Sequence, residues 1–155
     1  MKKFETQLAE VCHALNRERA RYLLVGARAM QLWGTTRATR DIDILIDHTV
    51  SNTKRVLRAL SGIGFGLARE WLAEEVAQRT FTVIGDSPRV DILTVAVSIR
   101  YSTAAKTAQV FEVEGVKIPT PSLKDLIASK RTGRLQDAAD IEVLEEIQRL
   151  RGETR

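Results

Sequence analysis

Apolar residues recur with helical spacing at Phe4, Leu8, Val11, Cys12 and Leu15, which predicts a helix over residues 4–19. Tyr22-Leu23-Leu24-Val25-Gly26 is an unbroken apolar run closed by glycine and reads as a short buried strand. Ala27 to Trp33 then predicts a short helix ended by Gly34. Ile42, Ile44, Leu45 and Ile46 predict the next strand, with Asp41 and Asp43 at alternate positions. Val56, Leu57, Leu60 and Ile63 mark one face of a helix over residues 52–63, stopped by Gly62 and Gly64. Residues 64–78 have no clear period, and Trp71 and Leu72 are expected to pack a short helix or strand over the acids.

The second half continues the alternation. Phe81-Thr82-Val83-Ile84 and residues 89–95 predict two strands joined by the turn Gly85-Asp86-Ser87-Pro88. Residues 98–107 read as a loop or short helix. Residues 111–119 predict a hairpin turning at Glu114-Gly115. A helix begins at Ser122, its N-cap, with Asp125 at the third position, and runs to about Gly133. A last helix over residues 136–150 is expected to face the core with Ala139, Val143, Leu144 and Ile147. The sum is an α/β (α+β) fold: a mixed sheet bearing the Asp-x-Asp motif, flanking helices and a helical C-terminus. No repeat, low-complexity run or linker interrupts it, so residues 1–155 read as a single domain.

Composition narrows the setting. Hydrophobic residues make up 44% and charged residues 28%, ordinary globular values. No apolar run reaches membrane-spanning length and Met1-Lys2-Lys3-Phe4-Glu5 begins no signal-peptide core, so a cytoplasmic protein without a membrane partner is expected. A single cysteine, Cys12, reads as core packing. Two histidines without metal-ligand spacing argue against a zinc site, and no phosphate-binding Gly-rich motif of the Walker or dinucleotide type occurs. Aromatic residues at 5% disfavour a base-stacking single-strand binder. The net charge is +4, and between Arg17 and Arg40 six arginines (Arg17, Arg19, Arg21, Arg28, Arg37, Arg40) oppose one acid, Glu18. That stretch suits a polyanion such as a nucleoside triphosphate or an RNA end; it equally describes a solvated arginine-rich surface.

Candidate chemistry sits on the acids. On a strand, Asp41 and Asp43 point one way and Ile42, Ile44 and Ile46 the other. Paired carboxylates repel unless a cation lies between them, and Mg²⁺ is the usual hard partner; the same pair would also serve a solvent-facing edge strand. Upstream, the strand, glycine turn and helix N-terminus at Gly26-Ala27-Arg28 present backbone N–H groups and a positive dipole end to a phosphate. Thirteen residues separate Ala27 from Asp41. Asp91 is a lone acid in an apolar strand, either a third carboxylate of the site or the polar face of a hairpin.

Val25-Gly26-Ala27, followed by Asp41-Ile42-Asp43-Ile44, resembles the signature of the nucleotidyltransferase superfamily related to DNA polymerase β. The loop from Gly34 to Arg40 resembles minimal bacterial members, including toxin halves of toxin–antitoxin pairs and small antibiotic enzymes of the lincosamide type. The resemblance implies that Asp41, Asp43 and Asp91 are catalytic and hold Mg²⁺ (or Mn²⁺), with Asp91 as third ligand or general base. It implies that Gly26, Ala27, Arg28, Arg40 and Lys130 bind the nucleoside triphosphate. It further implies transfer of a nucleoside monophosphate to a hydroxyl acceptor, and an antitoxin protein as partner; the arginine-rich stretch from Arg17 to Arg40 favours a tRNA end over a drug or protein as that acceptor. Lys130, Arg134, Asp137 and Asp140 match a pattern of the small members, yet would equally make a salt-bridge set fixing two helices. Ala27 departs from the family's Gly or Ser. A hydroxyl lost there removes a charge-assisted hydrogen bond of about 1.5–3 kcal/mol, which leaves a slower enzyme or a nucleotide-binding member without transfer as alternatives.

Overall fold

The computed structural model describes residues 4–36, 38–85 and 89–152. Met1 to Lys3, Arg37 of the arginine-rich stretch, and the Asp86 to Pro88 part of the predicted turn lie outside the described residues.

The strands arise where the apolar pattern is densest. β1 (Tyr22–Val25) pairs antiparallel with β2 (Ile42–Ile46), and β2 pairs parallel with β4 (Val90–Leu93). β3 (Phe81–Ile84) closes the far edge antiparallel to β4, giving a mixed sheet in the order β1-β2-β4-β3 among the described residues. Asp41 immediately precedes β2, so Asp43 alone of the two acids is a strand residue. Ile42, Ile44 and Ile46 are fully buried in the main core, as alternation requires.

Helices cover that apolar face. α1 (Gln7–Arg17) buries Leu8, Val11, Cys12 and Leu15, and Thr6 caps it by accepting from the Ala9 N–H at 3.2 Å. α3 (Val50–Ser61) buries Val56, Leu57 and Leu60 and is capped by Thr49. Asn52, buried on α3, donates to the carbonyls of Arg21 and Asp47 and accepts from the Arg21 N–H at 2.7 Å, clamping the ends of β1 and β2.

The aperiodic stretch forms a 3₁₀ turn (Gly66–Glu70) and α4 (Ala73–Gln78), both packed on α3. Trp71 and Leu72 line a depression against α3 rather than covering the acids, and Leu72 is exposed. This corrects the expectation: residues 66–78 pack on α3, and the apolar groups of the acid-bearing face are met instead by Ala96, Ile99 and Tyr101.

A separate hairpin, β5 (Gln109–Val113) and β6 (Val116–Thr120), turns at Glu114-Gly115, both at positive φ (52° and 79°). Its Glu114 carboxylate accepts from the backbone N–H groups of Glu5 and Thr6 at 2.7 and 2.9 Å, tying the turn to the start of α1. Between β4 and β5 lies a one-turn helix, α5 (Tyr101–Ala104). α6 (Leu123–Ser129) starts at Ser122, whose hydroxyl accepts from the Asp125 N–H at 3.2 Å.

α7 (Leu135–Leu150) departs from the predicted face. Its buried residues are Asp137, Asp140, Leu144 and Gln148, whereas Val143 is 46% exposed and Ala139 is exposed. A cation on α6's end receives the two acids, so burial follows ion pairing instead of apolarity at the start of the helix. No helix of the described residues is long and apolar enough to cross a membrane.

Candidate active site

Register brings the acids together. Val25, Asp43, Asp91 and Val83 lie in one row across the sheet, one residue from each strand. Asp43 and Asp91 are therefore neighbours on parallel strands, on the face opposite Ile42, Ile44 and Ile92. α2 (Gly26–Trp33) starts directly after Val25, whose side chain makes no cap hydrogen bond. A helix start of this kind presents its leading N–H groups to an anion. Gly26 adopts φ +70°, and a β-carbon there would overlap the Asp43 carboxylate. The turn therefore requires glycine twice over, for its backbone and for the close approach of the acid.

Electrostatics mark Asp43. Burial first, then the charges of Asp91 and Asp41 and a hydrogen bond with Asp91, raise its pKa from 3.8 to about 6, against a lowering by Lys130. Asp91 is met by Arg89, whose Nε and a terminal nitrogen donate to its two carboxylate oxygens at 2.7 and 3.1 Å. This bidentate pair between Arg89, just before β4, and Asp91 two residues on was not among the sequence expectations; the i, i+2 spacing of opposite charges was the available signal.

A cleft of about 510 Å³ opens over the row. Gly26, Asp43, Arg89, Asp91 and Lys130 line it, with Ser129, Thr132, Arg134 and Asp137 on the wall formed by the α6–α7 turn. Lys130 is largely buried and lies 3.2 Å from an Asp140 oxygen and 3.6 Å from an Asp137 oxygen. Asp137 also accepts from Thr132 and Arg134, at 2.5 and 2.7 Å. The salt-bridge set joining two helices is present, and it stands in the wall of the cleft.

The remaining candidates are dispersed. Asp41 is exposed at the entry to β2, within range of Asp43's charge. Arg40 is exposed beside it, and Ala27 is partly buried at the start of α2. Arg28 has a buried Nε without a hydrogen-bond partner, and its charge acts on the Cys12 thiol, which burial pushes up to about 12. Arg17, Arg19 and Arg21 precede β1 at its Tyr22 end, whereas Asp43 pairs with Val25 at the other end. Arg21 pairs with Asp47 at 2.9 Å. A strand this long separates the two ends by roughly 10 Å, so these three arginines do not flank the glycine turn. Sequence proximity misled there because β1 carries the chain away from them.

Among the described residues no three His, Cys, Asp or Glu side chains converge closely enough to hold a metal ion. Asp43 and Asp91 nevertheless supply adjoining oxygen donors, the chemistry a hard divalent cation takes.

A mixed four-stranded sheet in this order, with flanking helices and a C-terminal helix, is a nucleotidyltransferase-like fold. The structure is similar to the lincosamide antibiotic adenylyltransferase LnuA in its lincomycin-bound form, at TM-score 0.60 and 18% identity, over 95% of this chain and 99% of that one. It is also similar to a Thermotoga maritima protein proposed to be a nucleotidyltransferase, at TM-score 0.55 and 19% identity, over 94% of this chain and 88% of that one. Neither family models nor curated protein sequences give a match.

Proposed function

We infer that the chain transfers a nucleoside monophosphate from a nucleoside triphosphate to a hydroxyl acceptor, releasing pyrophosphate. The observation that carries this reading is the row Gly26–Asp43–Asp91, an uncapped helix start abutting two adjoining carboxylates. Phosphate oxygens would take the leading N–H groups of Gly26 and Ala27, with Lys130 as a cation in the same cleft. Asp43 and Asp91, with Asp41 at the rim, would hold Mg²⁺ or Mn²⁺. That ion supplies charge neutralisation of the triphosphate and alignment of its α-phosphorus. Asp91 takes the acceptor's proton as general base. Arg89 fixes the orientation of its carboxylate through two hydrogen bonds.

The acceptor expected from the arginine-rich stretch, a tRNA end, loses that support, because Arg17, Arg19 and Arg21 stand at the far end of β1. One of the similar structures is an antibiotic adenylyltransferase, which favours a small-molecule acceptor and ATP as donor. A second reading, nucleotide binding without transfer, has Ala27 in its favour.

The test is pyrophosphate release from each of the four nucleoside triphosphates with Mg²⁺ and a small-molecule extract of cells. Release dependent on the extract supports transfer. Metal-dependent triphosphate binding without release in any extract would leave the second reading.

A further inference from the structure

The cleft is lined by two unlike sets of side chains. One is polar and charged: Lys130, Thr132, Arg134 and Asp137 from the α6–α7 turn, with Arg89 beside Asp91. The other is apolar and belongs to the sheet and the turn that follows it. Leu93 follows Asp91 by two residues and so shares its face, and Leu93 pairs with Phe81 on β3. Phe81 is 52% exposed although it lies in a strand, and it lines the cleft with Leu93.

Val97 completes this apolar wall. It also lines the cleft and is 52% exposed. Its backbone has φ 61°, an outlier for a β-branched residue. Reciprocal hydrogen bonds between Ala96 and Ile99, at 2.9 and 3.0 Å, close a tight turn with Val97 as the first central residue. Glycine or asparagine would relax that position. The chain instead keeps a strained valine with its side chain at the cleft, the situation in which strain marks a functional contact.

We propose that Phe81, Leu93 and Val97 seat the acceptor, and that the acceptor is a small alcohol whose hydroxyl is carried on an apolar, uncharged skeleton. The proposal rests on the nucleotidyl-transfer reading, because it places the acceptor beside Asp91. The acceptor hydroxyl loses its proton to Asp91 as its oxygen bonds to the α-phosphorus. The bond from that phosphorus to the bridging oxygen breaks, and pyrophosphate leaves with the electron pair. A nucleic acid end would set its own phosphates against this wall and its neighbouring acids.

The experiment measures binding of straight-chain primary alcohols, ethanol to hexanol, by ligand-observed NMR. It uses the full chain with Mg²⁺ and a non-hydrolysable ATP analogue, whose own binding is followed by calorimetry. Affinity should rise about fourfold per methylene, the hydrophobic increment of one buried CH₂ group. Phe81→Ser and Val97→Gly should each flatten that dependence; glycine fits the turn, so Val97→Gly removes the wall without disturbing the fold. Four results overturn the proposal: no chain-length dependence in the unaltered protein, the same dependence in both variants, an equal loss of analogue affinity, or dissociation of a dimer by the variants. Loss of analogue affinity would make the wall a nucleobase seat, and dissociation would make it a subunit contact. Failure of the unaltered protein to bind the analogue overturns the transfer reading itself, and is read separately from the alcohol series.

Discussion

Asp43 is the residue on which fold and site pull in opposite directions. Its pKa rises to about 6 in the folded protein from 3.8. Between those values the folded protein holds a proton that the unfolded chain has lost. Metal-free stability should therefore fall as pH rises from about 4 to about 6, by about 3 kcal/mol in all. Added Mg²⁺ should restore stability above pH 6 and do little below pH 4, where protons win the competition. Asp43→Asn should raise the metal-free melting temperature at pH 7.5 and remove the Mg²⁺ response. Thermal melts across pH, with and without the ion, check both signs against Asp43→Asn; a metal-free pH dependence identical in the unaltered protein and Asp43→Asn would contradict the assignment.

Gly26 makes a companion prediction. Gly26→Ala forces a β-carbon into the Asp43 carboxylate at a left-handed backbone position. A cost of about 1–3 kcal/mol is expected from the backbone alone, together with loss of triphosphate binding. Urea denaturation and calorimetry read the two effects. A Gly26→Ala protein as stable as its parent would show that the turn tolerates a side chain.

At the scale of elements, the α6–α7 junction joins stability to the cleft. Lys130 lies between Asp137 and Asp140, all three largely buried. Lys130→Met would take one buried cation from Asp140 and leave Asp137 to Arg134, a change expected to cost about 3 kcal/mol. Burial opposes ionisation of Asp137, but hydrogen bonds from Thr132 and Arg134 and the charge of Lys130 outweigh it, so its pKa is lowered. A lowered carboxylate contributes stability above its unfolded pKa and loses it as pH falls, so the Lys130→Met deficit should shrink in acid. Urea titrations at pH 7 and pH 4 measure this, and a deficit independent of pH would contradict it.

The same junction shows what the sequence could and could not reveal. Dense apolar runs such as Tyr22 to Val25 and Ile42 to Ile46 announced their strands, and Ser122 announced the start of α6. Periodicity failed on α7, because Asp137 and Asp140 are buried by charge pairing that only the tertiary fold supplies. It also failed to place Arg17, Arg19 and Arg21, since their distance from Gly26 depends on the direction of β1. Asp91 was legible as an odd acid in an apolar strand; Arg89's grip on it and the apolar wall of Phe81 and Val97 were not, because both depend on strand pairing and a turn that local sequence does not encode.

For the whole molecule, the sheet order sets where chemistry can occur. The parallel pairing of β2 with β4 brings two acids distant in sequence into one row, and the antiparallel β1 delivers the start of α2 to the same edge. Triphosphate and divalent ion should therefore bind as a unit. Triphosphate without the ion should shift the melting temperature little, and the two together should raise it beyond the ion alone, in proportion to ligand excess. A full shift by triphosphate with a chelator present would place the nucleotide away from the carboxylates.

The central claim, nucleotidyl transfer by these carboxylates, is tested most directly by following two labels. The unaltered protein and Asp91→Asn are incubated with Mg²⁺ and a triphosphate labelled at either the α- or the γ-phosphate, in the presence of the acceptor extract. The α-label should appear on the acceptor, the γ-label only in pyrophosphate, and the rate should be at least about a hundredfold lower in folded Asp91→Asn. Transfer of the γ-label to the acceptor, or an undiminished rate in Asp91→Asn, would contradict the claim.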